Sequence, residues 1–236
     1  YQPRVWSLDN IGQFLVASPL GGGIYLWDLN TSNRASLIPN APLRNDYVTV
    51  TEEGSIMTLG TIDTDGNYNP MAIRWSDIRT SLNGTIPWET WLAAPSNASG
   101  EYNLQVGSYL VGAKKTKSGI MVWSDTAVFF SQFVADPSII YSFDLISTGC
   151  GLAGPNACVE KDGLVFWMTL NVGFHSFDSG SPELMDCPVR KFFVDNINTL
   201  QAYKCWATYD TAFDGVTFAY PVGTEIDRYI RVDIKE

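Results

Sequence analysis

A short strand that recurs along the chain at nearly constant spacing limits the folds open to it. Gly23-Ile24-Tyr25-Leu26-Trp27 reappears as Gly119-Ile120-Met121-Val122-Trp123 and as Gly163-Leu164-Val165-Phe166-Trp167. Weaker copies are Met71-Ala72-Ile73-Arg74-Trp75 and Gly215-Val216-Thr217-Phe218-Ala219. The copies end at Trp27, Trp75, Trp123, Trp167 and Ala219, in steps of 48, 48, 44 and 52 residues. Self-similarity at a period of this size marks a solenoid, a propeller or an array. The repeated unit is β rather than helical, which selects a β-propeller with blades of about 48 residues. The five copies are therefore expected at equivalent places in successive blades.

Another apolar strand precedes each copy: Gln13–Ser18, Ser55–Ile62, Ser108–Lys114, Ala157–Asp162 and Lys204–Asp210. The connections are polar and carry glycine, as in Asp63-Thr64-Asp65-Gly66-Asn67, Asp162-Gly163 and Asp214-Gly215. Gly and Asp-Gly supply the positive φ angles of tight hairpin turns, so each unit is expected to hold an antiparallel hairpin. Third strands follow at Ala127–Val134 and Gly173–Asp178. A sandwich or barrel would also give short strands between turn signals; the recurrence of Trp at one register favours the propeller. Helical signal is sparse. Ile197–Ala202 reads as one short turn, and Pro87–Leu92 and Pro188–Val194 each as a turn or an edge strand. Thr31–Pro42 and Ala93–Gly100 read as loops.

The domain reading is a single β-propeller over residues 1–236, with about five repeat units, incomplete or part of a longer chain. With 236 residues, 45% hydrophobic and 13% aromatic, the chain can bury a core of that size. Only 17% of residues are charged, below the usual quarter, as expected of a protein packed against neighbours. No apolar run approaches the ~20 residues of a membrane-spanning helix, and no signal-peptide pattern is present. The chain begins at Tyr1 rather than Met, and the expectation is of a processed or trimmed chain whose Arg4–Trp6 pairs with, or lies beside, a strand near Tyr229–Ile234, as in a mixed closing blade.

Sites that carry chemistry are few. Cys150, Cys158, Cys187 and Cys205 have no C-x-x-C spacing. Cys150 with Cys158 is a pair that an oxidising compartment would bridge, and buried reduced thiols are the alternative. His175 is the only histidine and lies mid-strand with no nucleophile motif nearby. Gly21-Gly22-Gly23 precedes a strand, so it reads as a hairpin turn and not as a phosphate loop. Asp63, Asp65, Asn67 and Asn69 alternate as in a calcium loop, but glycine stands at position four and no Glu closes position twelve. Asp77, Asp125, Asp162 and Asp214 sit beside Gly, Ser or Thr at strand ends and are expected to cap turns. No catalytic, cofactor-binding or metal-binding residue is assigned, and no cofactor is implied.

The net charge of −10 opposes tight binding to a phosphate backbone, which needs clustered Lys and Arg. Lys114, Lys115 and Lys117 cluster at one hairpin tip, which reads as a solvated turn. Weak or absent binding to duplex DNA is expected.

Several stretches are similar to the tail nozzle (tail tubular or tail hub) proteins of short-tailed bacteriophages. They are Arg4–Gln13, Ala17–Trp27, Ile73–Asp77, Val122–Thr126, Gly149–Ala157 and Asn196–Tyr229. The resemblance implies a β-propeller with additional modules and a structural role in the virion tail. There a homohexameric ring would meet the tail adaptor and the tail fibre or spike proteins, and DNA would pass without specific binding. No enzymatic activity and no membrane span are implied. Two alternatives stand beside it. A propeller glycoside hydrolase would need converging carboxylates, and a lectin-like carbohydrate-binding module would stack sugar on exposed Trp such as Trp88 or Trp91.

Overall fold

Among the described residues nineteen strands fall into five sheets, and each sheet is built from consecutive strands. The computed structural model describes residues 5–78, 86–136 and 139–234. The fold class is all-β, and the sheets are the blades of a β-propeller. Sheet 1 holds β1 (Trp6–Ile11), β2 (Phe14–Pro19), β3 (Tyr25–Trp27) and β4 (Ser36–Leu37). Sheet 2 holds β5 (Asn45–Val50), β6 (Ile56–Ile62), β7 (Tyr68–Trp75) and β8 (Gly100–Asn103). Sheet 3 holds β9 (Leu110–Thr116), β10 (Gly119–Ser124), β11 (Ala127–Asp136) and β12 (Ile139–Thr148). Sheet 4 holds β13 (Cys158–Lys161), β14 (Leu164–Thr169), β15 (Gly173–Phe177) and β16 (Glu183–Leu184). Sheet 5 has three strands, β17 (Trp206–Asp210), β18 (Gly215–Pro221) and β19 (Ile226–Asp233).

All five expected hairpins form, as β2–β3, β6–β7, β9–β10, β13–β14 and β17–β18. The turn chemistry explains them. Asp162 (φ 54°) and Gly163 (φ 101°) both take the left-handed backbone that a two-residue turn requires. In the β6–β7 turn Gly66 has φ 87°, and the Asp63 carboxylate accepts from the Asn67 N–H at 2.8 Å.

The recurring Trp strand does not hold one place. Trp27 and Trp75 end the third strands of their sheets, whereas Trp123, Trp167 and Ala219 lie on second strands. First strands begin at Trp6, Asn45, Leu110, Cys158 and Trp206, so a 48-residue step holds only from sheet 3 to sheet 5. The cause is physical. A glycine turn followed by alternating apolar residues and Trp describes any buried inner strand, and the second and third strands of a blade both satisfy it. The connection from β7 to β8, which includes a 3-10 turn at Pro87–Glu89, stretches sheet 2.

Among the described residues β1 and β19 share no sheet. β1 pairs with β2, placing Trp6 opposite Pro19, and β19 pairs with β18; Arg4 lies outside the described residues. Pro188–Val194, expected as a turn or edge strand, overlaps an α-helix, α1 (Arg190–Asn196), whose Phe193 is fully buried. Ile197–Ala202 meets a 3-10 helix at Thr199–Lys204, capped by the Asn198 side chain, which accepts from the Leu200 N–H.

Contacts divide the chain into two compact units, and the boundary runs through sheet 3. The first contains sheets 1 and 2 and Gln132–Ser142; the second contains Val111–Ser131 and Phe143 onward. In the first, Ile11, Val16, Ile24, Val48, Val50, Ile56 and Trp91 form one apolar core. Polar contacts tie its two sheets: the Ser7 hydroxyl accepts from the Val48 N–H at 3.0 Å, and Asp9 accepts from Val50 N–H at 2.8 Å. In the second unit Trp123, Trp167, Phe174, Phe193, Val216 and Phe218 are fully buried, with the Trp123 and Trp167 rings 5.6 Å apart. No helix among the described residues is long and apolar enough to cross a membrane.

Candidate functional site

The loop between β3 and β4 shapes a cleft of about 430 Å³ in the first unit, lined by Leu26, Asp28, Ser32, Asn33, Arg34 and Ser36. Its base follows from pairing: Leu26 stands opposite Ser36 across the two strands. Leu26 is half-buried against the unit's core and gives the cleft an apolar floor.

The loop is held by its own polar groups. Asp28 Oδ1 accepts from the Asn30 N–H at 3.0 Å, and Asn30 Oδ1 accepts from the Ser32 N–H at 3.0 Å. These successive Asx turns fold the segment back on itself. The Asn33 amide donates to Asp28 Oδ2 at 2.9 Å. Trp27 Nε1 donates to the carbonyls of Asn30 (3.2 Å) and Asn33 (3.1 Å), pinning the loop to the end of β3. Leu29 takes φ 63°, a left-handed backbone uncommon for a residue with a γ-branched side chain. The Asn33 amide, and after it the Asn30 N–H, hold the Asp28 carboxyl below the usual carboxylate range.

Among the described residues, the Arg34 guanidinium and the Ser32 and Ser36 hydroxyls have no partner within the chain. The cleft thus combines an ionised, oriented carboxylate, an unpaired guanidinium, two hydroxyls and an apolar floor. That set can bind a polyhydroxylated ligand with an apolar face. Of the lining residues Asp28 alone carries a carboxylate, whereas most glycoside hydrolases use a pair.

The residues singled out in the sequence lie elsewhere. His175 is buried in β15, stacked on Trp167 (centroids 5.3 Å apart), with Nδ1 3.2 Å from the Thr169 hydroxyl. Burial pushes its imidazole below the ordinary value. It serves the interior of sheet 4. Cys150, Cys158 and Cys205 are free and buried, and Cys187 is free and half-buried. Burial raises the Cys158 and Cys205 thiols to about 12.

In the Asp63–Asn69 run the side chains of Asp63, Thr64 and Asn69 are taken up by local structure. Asp63 closes the turn, and Asn69 accepts from the Met71 N–H at 2.9 Å. The backbone N–H and hydroxyl of Thr64 both donate to Glu101. Lys114 and Lys115 lie in β9 and Lys117 in the turn that follows it.

Two expectations are corrected. Of the four aspartates, Asp77 does cap, accepting from the N–H groups of Ile78 (2.9 Å) and Ala98 (2.8 Å). Asp162 and Asp214 instead form turns through their own left-handed backbones (φ 54° and 47°), and their carboxylates bond to the side chains of Lys161 and Tyr209. Trp91, proposed as a sugar platform, is 2% exposed in the core, with Nε1 donating to the Trp88 carbonyl. Trp88 is half-buried against Phe14, ring centroids 5.6 Å apart.

Thr31–Pro42 has the composition of any polar loop, and nothing in that composition marks the cleft. The spacing Asp28-x-Asn30-x-Ser32-Asn33 was the available signal, since alternating Asx residues form consecutive side-chain turns.

No protein-family model matches the chain, and no curated protein matches it. Among solved structures the fold is similar to that of the SapL1 lectin in complex with α-methyl fucoside. The TM-score is 0.50 at 10% identity, over 93% of this chain and 73% of that one. The structure of Hsv2 from Kluyvelomyces marxianus matches with a TM-score of 0.44 at 11% identity, over 99% of this chain and 67% of that one.

Proposed function

We propose that this β-propeller is a non-catalytic recognition module that binds carbohydrate in the cleft between β3 and β4. The observation that carries the reading is the side-chain set on that loop: Asp28, Asn33, Ser32, Ser36 and Arg34 around the Leu26 floor. A sugar ring offers hydroxyls on its edge and C–H groups on its face. The Asn33 side-chain oxygen accepts from hydroxyls, Arg34 donates to them, Leu26 meets the C–H face, and Asp28 holds the loop in shape. The Asx turns hold these groups before ligand arrives, which lowers the ordering cost of binding. The similar fold of a lectin solved with a fucoside supports the reading, although fold alone does not assign function. A glycan array probed with the purified chain tests it. Retention of a defined saccharide set, lost in the Ser32→Ala/Asn33→Ala double variant, is the expected result. An array with no saccharide retained contradicts it.

A second reading rests on the resemblance of stretches such as Ile73–Asp77 and Gly149–Ala157 to phage tail nozzle proteins. Under it the chain is a structural part of a virion tail. It forms a homohexameric ring with the adaptor and the fibre or spike proteins as partners, and DNA passes without specific binding. The net charge of −10 suits a conduit that does not retain phosphate. Electron microscopy separates the two: six-fold rings support the tail role, and monomers at high concentration argue against it. A sub-micromolar dissociation constant for duplex DNA at physiological salt would also count against a passive conduit.

A further inference from the structure

Arg34 stands out in the cleft because no carboxylate among the described residues pairs with it. Its guanidinium lines the cavity together with Asp28, yet the two form no ion pair. Asp28 is occupied by Asn30 and Asn33, one bond to each oxygen. The Asn33 amide nitrogen is committed to Asp28. The uncommitted groups are therefore weighted toward donors: five guanidinium N–H groups and the hydroxyls of Ser32 and Ser36. A neutral sugar would leave much of this donor capacity to water. A carboxylate would use it, since guanidinium and carboxylate match as a two-pronged pair and charged hydrogen bonds are the stronger kind.

We infer that the saccharide taken by this cleft is acidic, carrying a carboxylate that pairs with Arg34 while its ring covers Leu26. The inference rests on the carbohydrate reading above. Ser32 and Ser36 complete the donor set around the carboxylate, and Asp28, spent on the loop, keeps the rim in shape rather than meeting the anion. The rest of the chain opposes the ligand, because the net charge is −10. Beyond a Debye length of about 8 Å at physiological salt that repulsion is screened, and Arg34 acts at contact distance. Selectivity for the acid therefore comes from this one side chain.

Isothermal titration with a panel of neutral disaccharides and their uronate counterparts, identical except for the carboxylate, tests the inference. The intact chain is expected to prefer the acidic member by about three- to tenfold, the range for an exposed but two-pronged ion pair. Arg34→Gln should bring the two members within about twofold and leave the melting temperature unchanged, and Arg34→Lys should keep part of the preference. Equal affinities in the intact chain, or an undiminished preference in R34Q, overturn the inference and leave carbohydrate binding standing. Failure to bind any member of either series overturns both.

Discussion

The Asp28 carboxylate accepts a hydrogen bond from the Asn33 amide at 2.9 Å, and this contact closes the loop that shapes the cleft. Asp28→Ala removes the acceptor for both Asn33 and the Asn30 N–H. Without that acceptor the loop loses the contacts that fix its shape, so saccharide affinity should fall about tenfold or more. The loop is exposed, and the melting temperature should hardly move. Acid should act in the same direction. Because the folded carboxyl titrates below its ordinary value, its contribution is complete above the unfolded value of about 3.9 and is lost as pH falls through the folded one. Binding titrations should therefore agree at pH 7 and pH 5 and weaken below about pH 4.

His175 predicts a second pH dependence, this time of stability. Its imidazole is held below the ordinary value by burial against Trp167. The unfolded chain therefore binds a proton that the folded chain refuses, and stability declines as pH drops through about 6.5. Urea midpoints at pH 7 and pH 5 should show that decline, and His175→Gln should make it shallower. An identical slope in the variant would assign the pH dependence to other groups.

The cysteines should behave as packing residues. Thiolate is the reactive form, and burial lifts Cys158 and Cys205 to about 12. Under native conditions a thiol reagent at pH 8 should label Cys187 first. Cys150, Cys158 and Cys205 should react only on unfolding, and reducing agent should leave the melting temperature unchanged. Rapid labelling of all four in the native state would contradict the burial assigned to them.

Trp91 tests the core of the first unit. It is 2% exposed among Ile11, Val16, Val48 and Ile56. Trp91→Ala should cost about 3–5 kcal/mol, the scale of removing a buried aromatic side chain. Trp88→Ala, at a half-buried site, should cost less. Chemical denaturation of the two variants reads both values.

The hairpins were legible in the sequence because their turns are chemical necessities. Asp162-Gly163 and Asp214-Gly215 place residues tolerant of positive φ where a tight reversal needs them. Strand position within a sheet was not legible. Trp75 on a third strand and Trp123 on a second meet the same local demand, and long-range pairing decides between them. Helix α1 was missed because its N-terminal boundary residue, Val189, supplies no side-chain cap, so the usual start signal is absent. The cleft was hidden for a related reason. Asn30, Ser32 and Asn33 are common turn residues, and only the folded chain shows that the Asn30 side chain accepts from the Ser32 N–H, that the Asn33 amide donates to Asp28, and that Arg34 has no partner among the described residues.

A structure of the chain soaked with a saccharide retained on the array tests the central claim most directly. The account predicts a sugar ring seated on Leu26 with its polar groups within hydrogen-bonding distance of Asn33, Ser32 and Arg34, and the β3–β4 loop unchanged. A saccharide bound elsewhere on the propeller, with this cleft holding only water, would contradict it.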